Sequence, residues 1–537
     1  MIVGRDPSVP AQGGSFATMG EPTTTRPRIR WWTPPADRFA ASRIIGGGFH
    51  ATTMRLDCRR ARPQVRILAF GFRNPRPRMT LLTVESPNAP PHAELDRLAA
   101  IAEDVIARCR RHGAAQVEVG LSIDSGLAVN VRLGEVETVE HTRDRGLSLT
   151  VYAGQRKGSA STADLDERSI AITIEQAMAI ARYTEADPAA GLADPERLAT
   201  WFPELDLWHP QGPDAPTAIE LALRCEAAAL GYDPRINNSE GASVSAGRSY
   251  GIYANSHGFV GRDYGTRYSL SCSVLAGEDD AMQRDHYYDS ARAFADLAGA
   301  EAIGRETARR TLTRLDARNL STRKAPVILA AEVARGFFGH LTGAVSGGSL
   351  YRKASFLLDA QGQQIFPRWM QITEQPHLKR APGSSTYDDE GVATRANPLI
   401  VDGVLERYIL GSYSARKLGL SSTGNAGGVH NLTITPNAGS LDELFADMGT
   451  GLYVTELLGQ GVSLITGDYS RGAAGYWIEN GRIAYPVHEI TIAGNLREMF
   501  KSIIAVGSEI DTRGNVRTGP IRLAEVTIAG DSGGDEE

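Results

Sequence analysis

The sequence predicts an α+β protein in which an N-terminal α/β domain of helices on antiparallel sheet is followed by a mostly β C-terminal domain. Three observations carry this. Over residues 93–112, Leu95, Leu98, Ala102, Val105, Ile106 and Cys109 share one helical face, Arg108, Arg110 and Arg111 sit in the last turn, and Gly113 supplies the stop. Residues 116–162 then alternate apolar and polar side chains with period two, as half-buried antiparallel strands do. Far along the chain, Asp402-Gly403 and Asn480-Gly481 each separate two short apolar runs, which is what a two-residue type I′ hairpin demands.

Taken in order, the strand pattern divides into 116–123, 127–133, 135–141, 146–153 and 155–162. Helical periodicity returns at 167–183 and 215–230, on either side of a Pro- and Trp-containing connection at 201–213. A β-rich run at 242–275 and a long helix at about 290–315 follow, and the polar stretch 319–324 is read as a linker. These features define a first domain at 79–320 and a second at 321–530, with an acidic flexible tail at 531–537. The second domain opens with a short apolar strand, 325–330, and a helix on which Val333, Phe337, Leu341 and Ala344 recur; Ser440 and Glu443 form a capping box for a helix at 441–448.

The chain has 537 residues, 42% hydrophobic and 22% charged, the composition of an ordinary globular protein with more than one core. No run of about 18 apolar residues suggests a membrane span. The four cysteines, Cys58, Cys109, Cys225 and Cys272, are widely spaced, which fits a reducing cytoplasm better than a disulfide framework.

The formal charge of -6 conceals an asymmetry. Residues 1–78 hold fourteen arginines, no lysine and four acidic side chains (Asp6, Glu21, Asp37, Asp57), a net of +10 against -16 for the remainder. Prolines interrupt this leader and no period persists in it, so it is expected to be disordered. Three readings fit it: a nucleic-acid-binding arm, a targeting peptide, or translated upstream sequence. The third is the expectation, with Met79 as the start, because the first regular helix follows directly from there.

Several motif matches fail on context. Gly46 to Ala51 fits G-x-G-x-x-A without a flanking βαβ unit. Gly247 to Gly251 fits G-x-S-x-G, but both flanks read as strand rather than strand-then-helix, so a glycine-rich hairpin is expected in place of a nucleophile elbow. The run at 422–428 lacks the Lys-Ser/Thr end of a phosphate-binding loop. No catalytic residue is assigned.

Three long stretches carry a resemblance: GFFGHLTGAVSGGSLYRKASFLLD (336–359), SYSARKLGLSSTGNAGG (412–428) and GLYVTELLGQGVSLITGDYSRGAAGYWIENGRIAYPVHEITIAGNL (451–496). Together they resemble the TldD/PmbA family of bacterial peptidase proteins, in its PmbA (TldE) branch, over roughly residues 92–530. The resemblance implies a cytosolic heterodimer in which a TldD-type subunit holds zinc and the PmbA-type subunit completes a closed chamber. It also implies proteolysis of unfolded or leader peptides, including maturation of microcin-type peptides and removal of antitoxins.

The metal-bearing members of that family carry His-Glu with a second His five positions after the first, and this sequence has no such pattern. A catalytic zinc takes about three protein ligands. No two of the eleven histidines are closer than twenty positions. His340 lies on the helix where those relatives place their motif. As the second imidazole it would need ligand and base where Arg335 and Gly336 stand; as the first, where Leu341 and Val345 stand. No cysteine follows Cys272 to supply the late thiolate of the relatives. No metal ligand is therefore assigned, no cofactor is expected in this chain, and zinc is expected in the partner subunit.

The glycines and strands of the second domain suggest peptide recognition by strand addition. The candidate peptide or partner contacts are His340, Gly347, Gly348, Gly427, Gly428, Gly459, Gly461, Asp468, Tyr469, Ser470 and Arg471. Trp369, Phe366, Phe356, Leu357 and Leu358 are read as either an interface or core. The expected function is that of the non-metal-binding subunit, without membrane or nucleic-acid partners. The alternatives are an autonomous peptidase with an unconventional site and a nucleic-acid- or gyrase-associated regulator using the arginine leader.

Overall fold

The computed structural model describes residues 89–530; the expectations for 1–78, Met79 and 531–537 lie outside the described residues. The first half runs α1 (His92–Arg111), β1 (Gln116–Arg132), β2 (Glu135–Ala153), β3 (Arg156–Thr162), α2 (Glu167–Tyr183), α3 (Ala215–Leu230), β4 (Ile236–Asn255), β5 (Val260–Ala276), β6 (Gln283–Ala291) and α4 (Ala300–Leu312). The strands form one antiparallel sheet in the order β3-β2-β1-β4-β5-β6.

Two pairs of expected strands are in fact single long ones. The register runs unbroken through Gly126, which pairs with Thr142 on one side and Gly247 on the other, so the polar residues that suggest turns lie inside β1 and β2. The long helix expected from about 290 begins only at Ala300, because Ser290 and Ala291 finish β6 against β5. The stretch Gly247 to Gly251 is mid-strand in β4 rather than a hairpin. A Cβ at Gly251 would stand 2.3 Å from the Leu121 carbonyl oxygen, which accounts for that glycine.

One face of the sheet is covered. Leu95, Leu98, Ala102, Val105 and Cys109 of α1, with Ile170, Ile174, Ala177 and Ala181 of α2, bury the odd-numbered side chains Val117, Val119 and Leu121 of β1 and Leu147, Leu149 and Val151 of β2. Farther along the same face, α3 and α4 bury Leu127, Val129 and Val131. The even-numbered side chains Glu118, Ser122 and Asp124 therefore point from the uncovered face, with bare backbone at Gly120 between them.

The second half runs β7 (Arg323–Leu329), α5 (Ala331–Ala344), α6 (Gly347–Tyr351), β8 (Ile372–Glu374), β9 (Asn397–Val401), β10 (Val404–Leu405), α7 (Ser412–Leu418), β11 (Leu432–Ile434), α8 (Leu441–Met448), β12 (Gly451–Leu458), β13 (Asp468–Glu479), β14 (Arg482–Asn495), α9 (Leu496–Lys501), β15 (Ile503–Val506), β16 (Val516–Arg517) and β17 (Ile521–Ala529). One sheet has the order β10-β9-β8-β11-β16 and the other β14-β13-β12-β7-β17-β15. An additional pairing of β14 with β17 closes the second into a ring. Both expected hairpin turns are present, with positive φ at Asp402, Gly403, Asn480 and Gly481, and Ser440 and Glu443 form the capping box of α8.

The core of this half unites Val333, Phe337, Phe338 and Leu341 of α5 with the strands and with Phe356, Leu357 and Phe366, so most of the aromatic group read as interface or core is core; Leu358 alone of these is 38% exposed. The two halves are tied by a connection beyond α2. Arg416 donates to the Ala189, Gly191 and Leu192 carbonyls, and Lys417 pairs with Asp187 at 2.8 Å. Among the described residues no helix is long and apolar enough to cross a membrane.

Candidate functional site

The candidate contacts fall into two groups. At the start of β13, Tyr469 lies edge-on to His340, with ring centroids 5.9 Å apart, and Arg471 follows on the same strand, its guanidinium donating to the Leu457 and Leu458 carbonyls. Gly459 and Gly461 belong to the loop that enters this strand, and a Cβ at Gly461 would fall 1.9 Å from the Ser470 carbonyl oxygen. Asp468 accepts from Thr466 and Asn495. This stretch has β14 on one side and the 461–463 loop on the other, through the Ser470 N–H to the Gly461 carbonyl at 2.7 Å, so it presents no open strand edge. Of the second group, Gly347, Gly348, Gly427 and Gly428, Gly347 abuts Ser414 in the first turn of α7, and Ala426, beside Gly427, abuts Gly411 at the start of that helix.

Burial, and then the Arg471 guanidinium, hold His340 below the usual imidazole range, while burial pushes the Tyr469 phenol up to about 12. His340 Nε2 and the Tyr469 hydroxyl are both buried without a hydrogen-bond partner among protein atoms. A neutral imidazole facing a phenol and a guanidinium is a poor cation site: zinc requires additional nitrogen, carboxylate or thiolate donors, and a fixed positive charge opposes it. Among the described residues no three His, Cys, Asp or Glu side chains are grouped to hold a metal, and Cys109, Cys225 and Cys272 are buried in the first half. These residues do not fit a resident zinc.

A second site lies on the uncovered face of the first sheet, and sequence reasoning missed it. A cavity of about 550 Å³ is lined by Glu118, Tyr152, Tyr253, Asp187, Asp389 and Glu390 among others. It adjoins a groove of about 640 Å³ whose lining includes Ser122, Gly146, Ser249 and Tyr387, and the two share Gly120, Ser148, Tyr253 and Asp389. Glu118 accepts the Tyr152 hydroxyl at 3.1 Å and the Tyr253 hydroxyl at 2.9 Å. Burial, followed by the Glu118 charge, raises both phenols far above their ordinary range, so both remain donors.

The wall opposite the sheet is the segment 385–393, held by buried carboxylates. Asp388 accepts the backbone N–H groups of Glu390, Val392 and Ala426. Behind it, Glu374 accepts from Arg407 at 2.5 Å, Asn425 at 2.7 Å and the His430 N–H at 2.6 Å. Burial alone would raise the Glu374 carboxyl, but His430 and Arg407 outweigh it and hold it below the usual carboxylate range. The sequence does carry a trace of this site in the polar alternation of Glu118, Gly120 and Ser122 and in the run Asp388-Asp389-Glu390. Nothing local indicates that the two meet.

The chain matches three family models in succession: PmbA/TldA metallopeptidase domain 1 over residues 117–181, the central domain over 208–315 and the C-terminal domain over 322–530. The chain belongs to the PmbA/TldD metallopeptidase family. Its PmbA branch is indicated by 53% identity over 413 residues to metalloprotease PmbA of Escherichia coli O157:H7, covering 77% of this chain and 92% of that relative. A PmbA homolog from Haemophilus influenzae is 48% identical over 78% of this chain and 92% of its own length. Among solved structures, a Bacteroides thetaiotaomicron protein described as a candidate modulator of DNA gyrase superposes with a TM-score of 0.78 at 28% identity, covering 81% of this chain and 99% of that one. As a PmbA/TldD member the chain is a peptidase-family protein.

Proposed function

We propose that this chain is the non-metal subunit of a cytoplasmic PmbA/TldD peptidase, paired with a TldD-type subunit that carries the zinc, and that the pair cleaves unfolded or leader peptides such as microcin precursors and antitoxins. The observation that carries the reading is the environment of His340, where a guanidinium and a phenol stand in place of further metal donors. A groove floored by small side chains and walled by Tyr253 and Tyr387 adds room for an extended peptide. The remaining task for this subunit is to bind and orient the peptide beside the partner's metal.

The test is co-purification with the TldD-type protein of the same organism, followed by zinc analysis and peptide turnover for each chain apart and for the pair. Zinc and turnover are expected in the pair, and neither in this chain alone. Stoichiometric zinc with turnover in the isolated chain overturns the proposal.

A further inference from the structure

We infer that an arginine-lined cavity at the end of the groove, beyond Asp263, receives a carboxylate of the bound peptide. The inference rests on the peptide reading above and names the chemical group that this subunit selects.

The groove that holds Asp389 and Tyr387 continues past Asp263. It shares Ser249 and Asp263 with a cavity of about 310 Å³, which in turn shares Arg267 and Arg292 with another of about 240 Å³, lined from β5, β6, β16 and the segment 379–382. The charge of this last cavity is one-sided. Arg267, Arg292, Lys379, Arg380 and Arg517 line it against a single carboxylate, Asp296. Asp296 is already taken, since Arg380 pairs with it at 2.9 Å and with Asp206 at 2.5 Å. Arg292 donates to the Thr266 and Pro382 carbonyls and Arg267 to the Ser290 hydroxyl, neutral acceptors that leave both charges uncancelled. Burial, followed by the neighbouring Arg267 charge, holds Arg292 below the usual guanidinium range, and Asp263 offsets part of this.

Arg517, in the same lining, supplies a second and separate observation. Its Nε is buried without a hydrogen-bond partner among the described residues, and burial alone lowers the guanidinium, with no carboxylate opposing that shift. A guanidinium stays protonated in a protein, so a charge desolvated in this way costs stability until an anion meets it. Its planar fork matches the two oxygens of a carboxylate. Because the cavity is continuous with the groove, the anion that fits the peptide reading is one carried by the chain lying there.

A carboxylate arrives either as a free C-terminus or on an acidic side chain, and the experiment separates the two. N-terminally fluorescein-labelled peptides of one sequence, with a single glutamate, are titrated with the full chain, and with the co-purified pair, by fluorescence anisotropy. The parent peptide is compared with its C-terminal amide and with its Glu-to-Gln form. Binding weaker by about tenfold or more is expected on removing one of these carboxylates: loss on amidation identifies the terminus, loss with glutamine the side chain. Arg517→Gln should reduce that discrimination to within about twofold, with a thermal melt confirming the fold. Arg168→Gln, at an exposed arginine of α2 outside the cavity, should leave it intact. Should the Arg517 variant not fold, Arg267→Gln in the same lining takes its place. Equal affinity for all three peptides, no binding to either preparation, a folded cavity variant that discriminates like wild type, or an equal loss in Arg168→Gln overturns the inference. If the pair hydrolyses peptides without carboxylate preference, the inference falls and the proposed function stands. If the isolated chain holds zinc and turns over, the proposed function falls whatever the preference.

Discussion

Asp388 Oδ2 accepts the Ala426 N–H at 2.9 Å, so a single buried carboxylate fastens the wall of the groove to the glycine-rich turn behind it. Burial pushes the Asp388 carboxyl from 3.8 up to about 6, the backbone donors offsetting only part of that cost. Between these values the native state keeps a proton that the unfolded chain has released. This contribution therefore diminishes as pH rises from about 4 to about 6, by roughly 3 kcal/mol at 1.36 kcal/mol per unit. Asp388→Asn cannot titrate, and its amide N–H₂ meets the Ala426 N–H donor to donor. Thermal melts of both proteins across this window should show the wild-type advantage shrinking toward pH 6.5, and an advantage that grows contradicts the assignment.

The Glu374–Arg407 pair is buried, with side chains 4% and 9% exposed. Removing one member leaves the other charge without compensation, which typically costs about 3–5 kcal/mol. Arg407→Met is expected to destabilise by that amount in urea unfolding. The damage should spread to Asn425 and His430, which share the carboxylate.

Gly158 of β3 lies under α2, where a Cβ would stand 2.1 Å from the Ala177 carbonyl oxygen and 2.5 Å from the Ala181 nitrogen. Those are backbone atoms, so α2 itself has to move, and Gly158→Ala should destabilise by about 1–3 kcal/mol. Gly336 in α5 is exposed and meets nothing within 4 Å, so Gly336→Ala should stabilise by about 0.5–1 kcal/mol through helix propensity alone. Denaturant midpoints of the two variants should shift in opposite directions.

His340→Phe removes a buried nitrogen that has no partner and keeps a ring against Tyr469. The loss of an unsatisfied polar atom offsets the change of shape, so stability should stay within about 1 kcal/mol of wild type. The zinc content of the subunit pair should be unchanged. A fall in bound zinc would mean that His340 is a ligand.

Features that depend on neighbours in sequence were legible. Asn480-Gly481 gives its own turn, Ser440 and Glu443 cap their own helix, and α2 and α3 follow from their apolar stripes. Features that depend on distant pairing were not. Gly126 and its polar neighbours look like a turn until Thr142 and Gly247 flank them, and β6 exists because Tyr268 to Ala276 of β5 offers it an edge. The same limit explains the site. His340, Tyr469 and Arg471 could be named from the sequence because the family resemblance covers them, but Glu118 and Glu390 stand 272 positions apart and meet only through the tertiary fold.

Strand β17 lies beside β7, pairing Ile521 with Leu329 and Ile528 with Arg323, and it also touches β14 to shut the ring. A seam closed by β17 cannot zip early in synthesis: β7 can meet β12 on one side, but nearly two hundred residues must leave the ribosome before it gains β17 on the other. Contacts of such long range slow folding and leave sticky edges bare in the interim. Cutting the chain ahead of Ile521 would thus breach the ring of strands rather than trim a fringe.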